Sequence, residues 1–334
     1  MADSSVLLHY LAPLQALLEP ADVTELVVNR PREVGVERAG GWTWHDVPDL
    51  TEDWLQTLAV GAAAFTRQDV SEDQPICSTV LPGGERCQIV VPPATPAGTI
   101  SLTIRKPSQV TLGLEDFQKA GLFEQARVSA QEPDEEEVAL LALRDASDWV
   151  GFFKRAVISR RNILISGPTG SGKTTFAKGL VQLIPPEERL LTIEDTRELV
   201  VPHRNVVHLI YAKDGQGLSK AGAKQLLESA LRMRPDRILL QELRDGTAFF
   251  YLRNVNSGHP GSITTIHADS AALAFEQLTL LVRESEGGRD LPRDDIRALL
   301  MLLVDVVVQV KKIDGRYRLT EVWYDPVRRR RDAA

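Results

Sequence analysis

Gly167-Pro168-Thr169-Gly170-Ser171-Gly172-Lys173-Thr174-Thr175 fits the phosphate-binding loop pattern G-x-x-x-x-G-K-[ST], with Gly167, Gly172, Lys173 and Thr174 at its fixed positions. The flanks are what such a loop requires. Ile163-Leu164-Ile165 before it reads as a buried strand, and Thr175 to Ile184 after it as a helix stopped by Pro185 and Pro186. In that setting the glycines let backbone N–H groups converge on a phosphate, and the helix N-terminus adds the positive end of its dipole. Lys173 is placed to reach terminal phosphates, and the Thr174 hydroxyl to ligate Mg²⁺. Residues 167–175 are thus the expected nucleotide-binding segment.

Working outward toward the C-terminus, helix and strand patterns alternate from Trp149 onward, which implies an α/β sheet with helices on both faces. Ligands of such sheets sit at the carboxyl ends of the strands. Three strand ends carry polar chemistry there. Ile193-Glu194-Asp195 offers two carboxylates that can hold Mg²⁺ waters or orient an attacking water, so Glu194 and Asp195 join Thr174 as metal-site candidates. Ile238-Leu239-Leu240-Gln241-Glu242 places Glu242 as general base, with Gln241 where an aspartate often stands. Gly258-His259-Pro260-Gly261 leads to a strand ending at His267, a γ-phosphate sensor by position, while His259 is less well placed. Arg86, Arg105, Arg232 and Arg234 are basic candidates for neutralising a transferring phosphoryl group, from the same or an adjacent subunit. The guanine-reading pattern Asn/Thr-Lys-x-Asp is absent, which favours ATP over GTP.

Toward the N-terminus the pattern changes to α+β. Val6 to Leu18 has leucines at helical spacing, and Thr51 is placed to cap a helix running to about Phe65. Short strands are expected at 24–29, 34–37, 76–80, 86–91 and 99–104. Residues 1–126 are read as this first domain, 127–148 as an acidic linker, in which the charge run Glu132-Pro133-Asp134-Glu135-Glu136-Glu137 is followed by a leucine-rich helical stretch, and 149–334 as the domain holding the loop.

The 334 residues, 43% hydrophobic and 25% charged, are ordinary globular composition with room for two cores. The start lacks a secretory pattern and the longest apolar stretch, Ala298 to Val310, is broken by Asp305, so the chain reads as soluble. Charge is unevenly placed: 10 basic and 24 acidic side chains lie in residues 1–150, against 29 and 22 in the remainder. A basic half holding the phosphate loop suits an anionic nucleotide and suits docking against the acidic half. Net acidity, with no basic stretch interleaved by aromatics, argues against direct nucleic-acid binding. The basic run Arg328 to Arg331 reads as a solvated tail rather than a lipid contact. Cys77 and Cys87 read as reduced core thiols in preference to a cross-strand bridge.

Taken in order, GPTGSGKTT, TIEDTREL, LRMRPDRILLQELRD and GHPGSITTIHA resemble the four motifs of the secretion ATPase superfamily, and most of all the hexameric traffic ATPases of type IV secretion systems. TELVVNRPREVGVE and TISLTIRKPS are similar to that family's N-terminal domain, so the resemblance covers essentially the whole chain. It implies an N-terminal α+β domain followed by a RecA-like P-loop ATPase domain. It further implies a ring of six with nucleotide between the two domains and Arg105, with Arg86, reaching the phosphates. The family's ring lies peripherally on the cytoplasmic face of a bacterial inner membrane. There it works with other secretion ATPases and channel components in substrate transfer or pilus assembly. Relatives in type II secretion and type IV pili share the motifs, but many carry a tetracysteine metal site that two cysteines cannot form. The alternatives are a motor of that second kind and a nucleotide-gated scaffold with little turnover, the latter suggested by Gln241.

Overall fold

The computed structural model describes residues 4–107, 111–126, 132–212, 219–255 and 258–331. Helix α1 (Ser4–Leu18), strands β1 (Glu25–Arg30), β2 (Glu33–Arg38) and β3 (Gly41–Asp46), helix α2 (Glu52–Phe65), and strands β4 (Ile76–Val80), β5 (Arg86–Val90) and β6 (Ser101–Arg105) form the first unit. The strands make one antiparallel sheet in the order β3-β2-β1-β6-β5-β4. Thr51 caps α2 as expected, its hydroxyl accepting from the Trp54 N–H at 3.2 Å. Strand periodicity decides which side chains face which way. Leu26, Val28, Ile89, Leu102 and Ile104 lie in one core with Leu7, Leu11 and Leu14 of α1 and Leu55 and Leu58 of α2. Their alternates Val27, Gln88, Val90, Ser101 and Thr103 are buried as well, because the opposite face is covered by the second half of the chain.

After the short helix α3 (Leu114–Lys119), that half contains α4 (Glu135–Asp145), α5 (Trp149–Ile158), β7 (Ile163–Ser166), α6 (Lys173–Val181), β8 (Leu190–Glu194), β9 (Val206–Ile210), α7 (Ala223–Ala230) and β10 (Arg237–Leu240). It ends with α8 (Thr247–Val255), β11 (Ile263–Ile266), α9 (Ala271–Glu284), α10 (Arg293–Leu303), β12 (Val306–Ile313), β13 (Arg316–Trp323) and α11 (Pro326–Arg331). The strands run β9-β8-β10 and β11-β7-β12-β13, all parallel except for the antiparallel edge strand β13. A parallel bridge between Glu242 and Thr265, and Leu243 N–H donating to Thr265 O at 2.9 Å, join the two sets. This is the doubly wound sheet expected from the sequence. Its central strands are buried throughout because helices cover both faces.

Some elements differ from the sequence reading. The leucine-rich helical stretch read within the linker is helix α4, starting at Glu135 with a capping box between Asp134 and Glu137, but it is not a free connection. Leu140 of α4 is fully buried with Phe152, Ile163 and Leu180, so this helix shares the core around the loop strand. Strand β9, spelled Val-Val-His-Leu-Ile, was not among the expected strands, although its short apolar run is a buried-strand signal. The basic tail begins as the short helix α11, with Arg328 N–H donating to Asp325 Oδ1 at 2.9 Å. Cys77 and Cys87 are buried and free. Their partners across the β4/β5 ladder are Ile89 and Thr79, so the two thiols do not face one another. Among the described residues no helix is long and apolar enough to cross a membrane.

Candidate active site

The loop between β7 and α6 is shaped by close packing. A side-chain carbon on Gly167 would stand 2.4 Å from the Val310 carbonyl oxygen, and Gly170 and Gly172 take φ values of 73° and 92° that other residues rarely adopt. Helix α6 begins two residues earlier than expected, so Lys173 and Thr174 lie in its first turn, where N–H groups lack helical partners. Lys173 is 8% exposed, and its ammonium donates to the carbonyls of Gly167 at 2.7 Å and Pro168 at 3.0 Å. Burial draws its pKa below the usual lysine range, against the pull of Glu242. The Ser171 hydroxyl is buried and has no hydrogen-bond partner among the described residues.

A chain of contacts leads from Lys173 across the strand ends. Lys173 Nζ is 3.4 Å from His267 Nδ1, His267 Nε2 is 2.6 Å from Glu242 Oε1, and Arg244 Nε donates to Glu242 Oε2 at 2.5 Å. Arg244 Nη1 then donates to Asp195 Oδ2 at 2.6 Å. An ammonium has only protons to offer, so Nδ1 of His267 must accept, which leaves the ring proton on Nε2, close beside Glu242 Oε1 but without hydrogen-bond geometry to it. The Glu242 and Asp195 carboxylates hold the Arg244 guanidinium above its usual range although burial pulls the other way. The strands ending at β7, β8, β10 and β11 therefore bring together Lys173, Asp195, Glu242 and His267, as their order in the sheet allows. Arg244 was missed as a site residue. The signal for it was its place two residues after Glu242, which puts both on one face of an extended segment.

Other expected residues lie elsewhere. Glu194 is 1% exposed and turned into the protein. Its Oε2 accepts from the N–H groups of Glu198 and Leu199 at 2.7 and 2.8 Å, and its Oε1 accepts from Thr192 Oγ1 at 2.8 Å, with His208 Nδ1 3.7 Å away. Burial alone would raise its pKa, but the contacts with His208, Leu199, Glu198 and Thr192 hold it below the usual carboxylate range. Adjacent strand residues point to opposite faces, which is why Asp195 reaches the crevice and Glu194 does not. Arg86 and Arg105 are register partners on β5 and β6, both exposed. Arg105 pairs with Glu25 at 3.5 Å, and among the described residues neither arginine bonds to the loop of its own chain. Arg234 is held by Glu37 and Asp236, and Arg232 lies on a groove with Asp73 and Lys220 rather than at the loop. His259 sits by Pro235 and Asp236, where burial lowers its pKa.

Beside the loop lies an apolar cavity of about 310 Å³ lined by Ser171, Gly172, Thr175, Phe176, Tyr317 and Leu319, among others. Tyr317 packs so closely on Gly172 that a side-chain carbon there would meet its ring at 2.9 Å.

The model of the type II/IV secretion system protein family matches residues 10–311. The chain belongs to that family. It is 51% identical over 339 residues to the type IV secretion system protein VirB11 of Bartonella quintana (strain Toulouse), covering 98% of this chain and 95% of that one. The VirB11 of Brucella suis biovar 1 (strain 1330) is 48% identical, with 95% and 90% covered. The fold is similar to the crystal structure of the VirB11 ATPase from the Brucella suis type IV secretion system in complex with sulphate. That likeness has a TM-score of 0.92 at 46% identity, over 98% of this chain and 100% of the other. The RecA-like P-loop fold behind a smaller α+β unit, expected from the motifs, is the fold observed.

Proposed function

We propose that this chain is an ATP hydrolase working as a ring-shaped motor of six copies that energises substrate transfer or pilus assembly in a type IV secretion system. The observation that carries the reading is the contact chain Lys173–His267–Glu242–Arg244–Asp195 at the mouth of the phosphate loop. Lys173 and the first-turn N–H groups of α6 hold the phosphates, and Glu242 takes the proton of the attacking water. His267, whose two nitrogens meet Lys173 and Glu242, reports a terminal phosphate to the base. The Thr174 hydroxyl and the Asp195 carboxylate are hard oxygen donors that suit Mg²⁺, which when bound neutralises phosphate charge. Glu194 fits a positioning role, since it holds the segment after Asp195. The cavity between Phe176, Tyr317 and Leu319 suits the flat adenine base.

Within this reading the chain divides into 1–126, 127–148 and 149–334, and the motor lies peripherally on the cytoplasmic face of a bacterial inner membrane. There it acts with other secretion ATPases and channel components. Arg86 and Arg105, exposed and away from their own loop, serve the phosphates of a neighbouring copy. The test is steady-state phosphate release from wild type and Lys173→Ala. Release that depends on Lys173 supports the reading, and equal rates sink it.

A further inference from the structure

Two carboxylates from different strand ends, Asp195 after β8 and Glu242 after β10, share one guanidinium. Both are nearly buried, with side chains 12% and 10% exposed, while that of Arg244 is 40% exposed. Two anions in a poorly solvated crevice repel each other unless a cation lies between them, and Arg244 supplies it. Because Arg244 is half open to solvent and rooted only two residues beyond Glu242, its guanidinium can swing out without moving the strand. The buried cation Arg237 has no such freedom: 0% exposed, it is clamped at Nε and Nη2 by Glu188 at 2.7 and 2.9 Å, and its Nη1 donates to Val157 O at 2.8 Å.

We propose that Arg244 is the resident counter-cation of the Asp195–Glu242 pair, and that a divalent cation entering with the nucleotide must displace it. The inference rests on the ATP-hydrolysis reading of this site and adds a competition to it. A bridging guanidinium repels an approaching dication, so the site loads metal together with the phosphates that can draw Arg244 away, and resists metal alone. The same displacement frees Oε2 of Glu242 to accept a proton.

The probe is Mn²⁺, titrated by electron paramagnetic resonance against the full chain without nucleotide, where Arg244 still bridges the two carboxylates, with a parallel titration of the chain carrying a non-hydrolysable ATP analogue. Arg244→Gln removes the charge and should tighten Mn²⁺ by about tenfold, the order expected for losing one positive charge near a partly solvated site. Arg244→Lys keeps the charge and should stay within about twofold of wild type. Unchanged or weaker Mn²⁺ binding by Arg244→Gln overturns the proposal. Equal tightening by both variants also overturns it, since the charge would then not be the cause. Thermal melts of each variant report folding, and a poorly folded glutamine variant is replaced by Arg244→Met under the same criteria. If the analogue does not bind wild type at all, the hydrolase reading itself fails. If it binds with Mn²⁺ but Arg244 has no influence, only the competition fails.

Discussion

The molecule holds two dense sets of charges, one at the mouth of the phosphate loop and one in the seam where the N-terminal sheet meets the strands β8 and β9. They use the same residue types to opposite ends. At the loop the links are single contacts in a line, and His267 and Arg244 have side chains 50% and 40% exposed. In the seam Arg189 is fully buried and donates to Met233 O at 2.8 Å, Asn29 Oδ1 at 2.7 Å and Asn205 Oδ1 at 2.5 Å, with Thr103 Oγ1 at 3.3 Å. Burial brings its pKa down to about 9, which leaves it charged at neutral pH. Arg234 with Glu37, Arg204 with Glu33, and Gln88 with Ser229 tie the same seam. The difference teaches that exposure and the number of partners decide whether a charge can be exchanged for a ligand's. Arg244 can let go, and Arg189 cannot without leaving several buried acceptors unpaired.

That contrast can be broken in four ways. Glu242→Gln should cut phosphate release on the order of 10²–10⁴-fold, the range for losing a general base, with analogue binding retained and the melting temperature nearly unchanged. A variant that turns over like wild type would remove Glu242 from the chemistry. In the seam the balance should reverse: Arg189→Met leaves several neutral buried acceptors unpaired and should destabilise the chain by about 2–4 kcal/mol, visible as a lower melting temperature. Little change there would mean that the seam is as exchangeable as the loop.

Glu25 sharpens the comparison through pH. Its carboxylate is 5% exposed, and burial raises its pKa from 4.5 to about 7, against the pull of Arg105. The folded state therefore holds a proton that the unfolded state releases above pH 4.5. The resulting stabilisation is complete below that pH and is lost as pH rises through about 7. Glu25→Gln should accordingly gain roughly 1–3 kcal/mol relative to wild type between pH 5 and 8. Melting curves across that interval check the sign, and parallel curves for the two proteins would refute it. The smallest effect belongs to Thr192→Val, which removes the hydroxyl's hydrogen bond to Glu194 and its 2.8 Å contact with His208 Nδ1. It should cost about 1 kcal/mol of stability and lower phosphate release a few-fold without changing analogue affinity.

Much of this was legible in the sequence because it depends on local pattern. The loop Gly167–Thr175 fixes its own strand and helix, and Asp195, Glu242 and His267 could be placed because each follows a short apolar strand. What could not be read was anything decided between distant segments. Glu194 and Asp195 look alike in sequence, and only the strand's alternation and the segment 198–199 send one inward and the other to the crevice. Arg244 could be placed on the same face as Glu242, but its bridge to Asp195, brought beside it from 49 residues away, could not be read. Leu140 lies in the leucine-rich helical stretch read after the charge run, but its burial against Phe152 and Ile163 could not be read. Arg86 and Arg105 were tied to the phosphates by resemblance, yet their positions on the N-terminal sheet do not bring them to their own loop.

The most direct measurement is a structure of the full chain with a non-hydrolysable ATP analogue and Mg²⁺. The polyphosphate should lie against Lys173 and the first turn of α6, the base beside Phe176 and Tyr317, and Glu242 should face the terminal phosphate. A polyphosphate lodged in the seam around Arg189, or anywhere remote from Lys173, would contradict that placement.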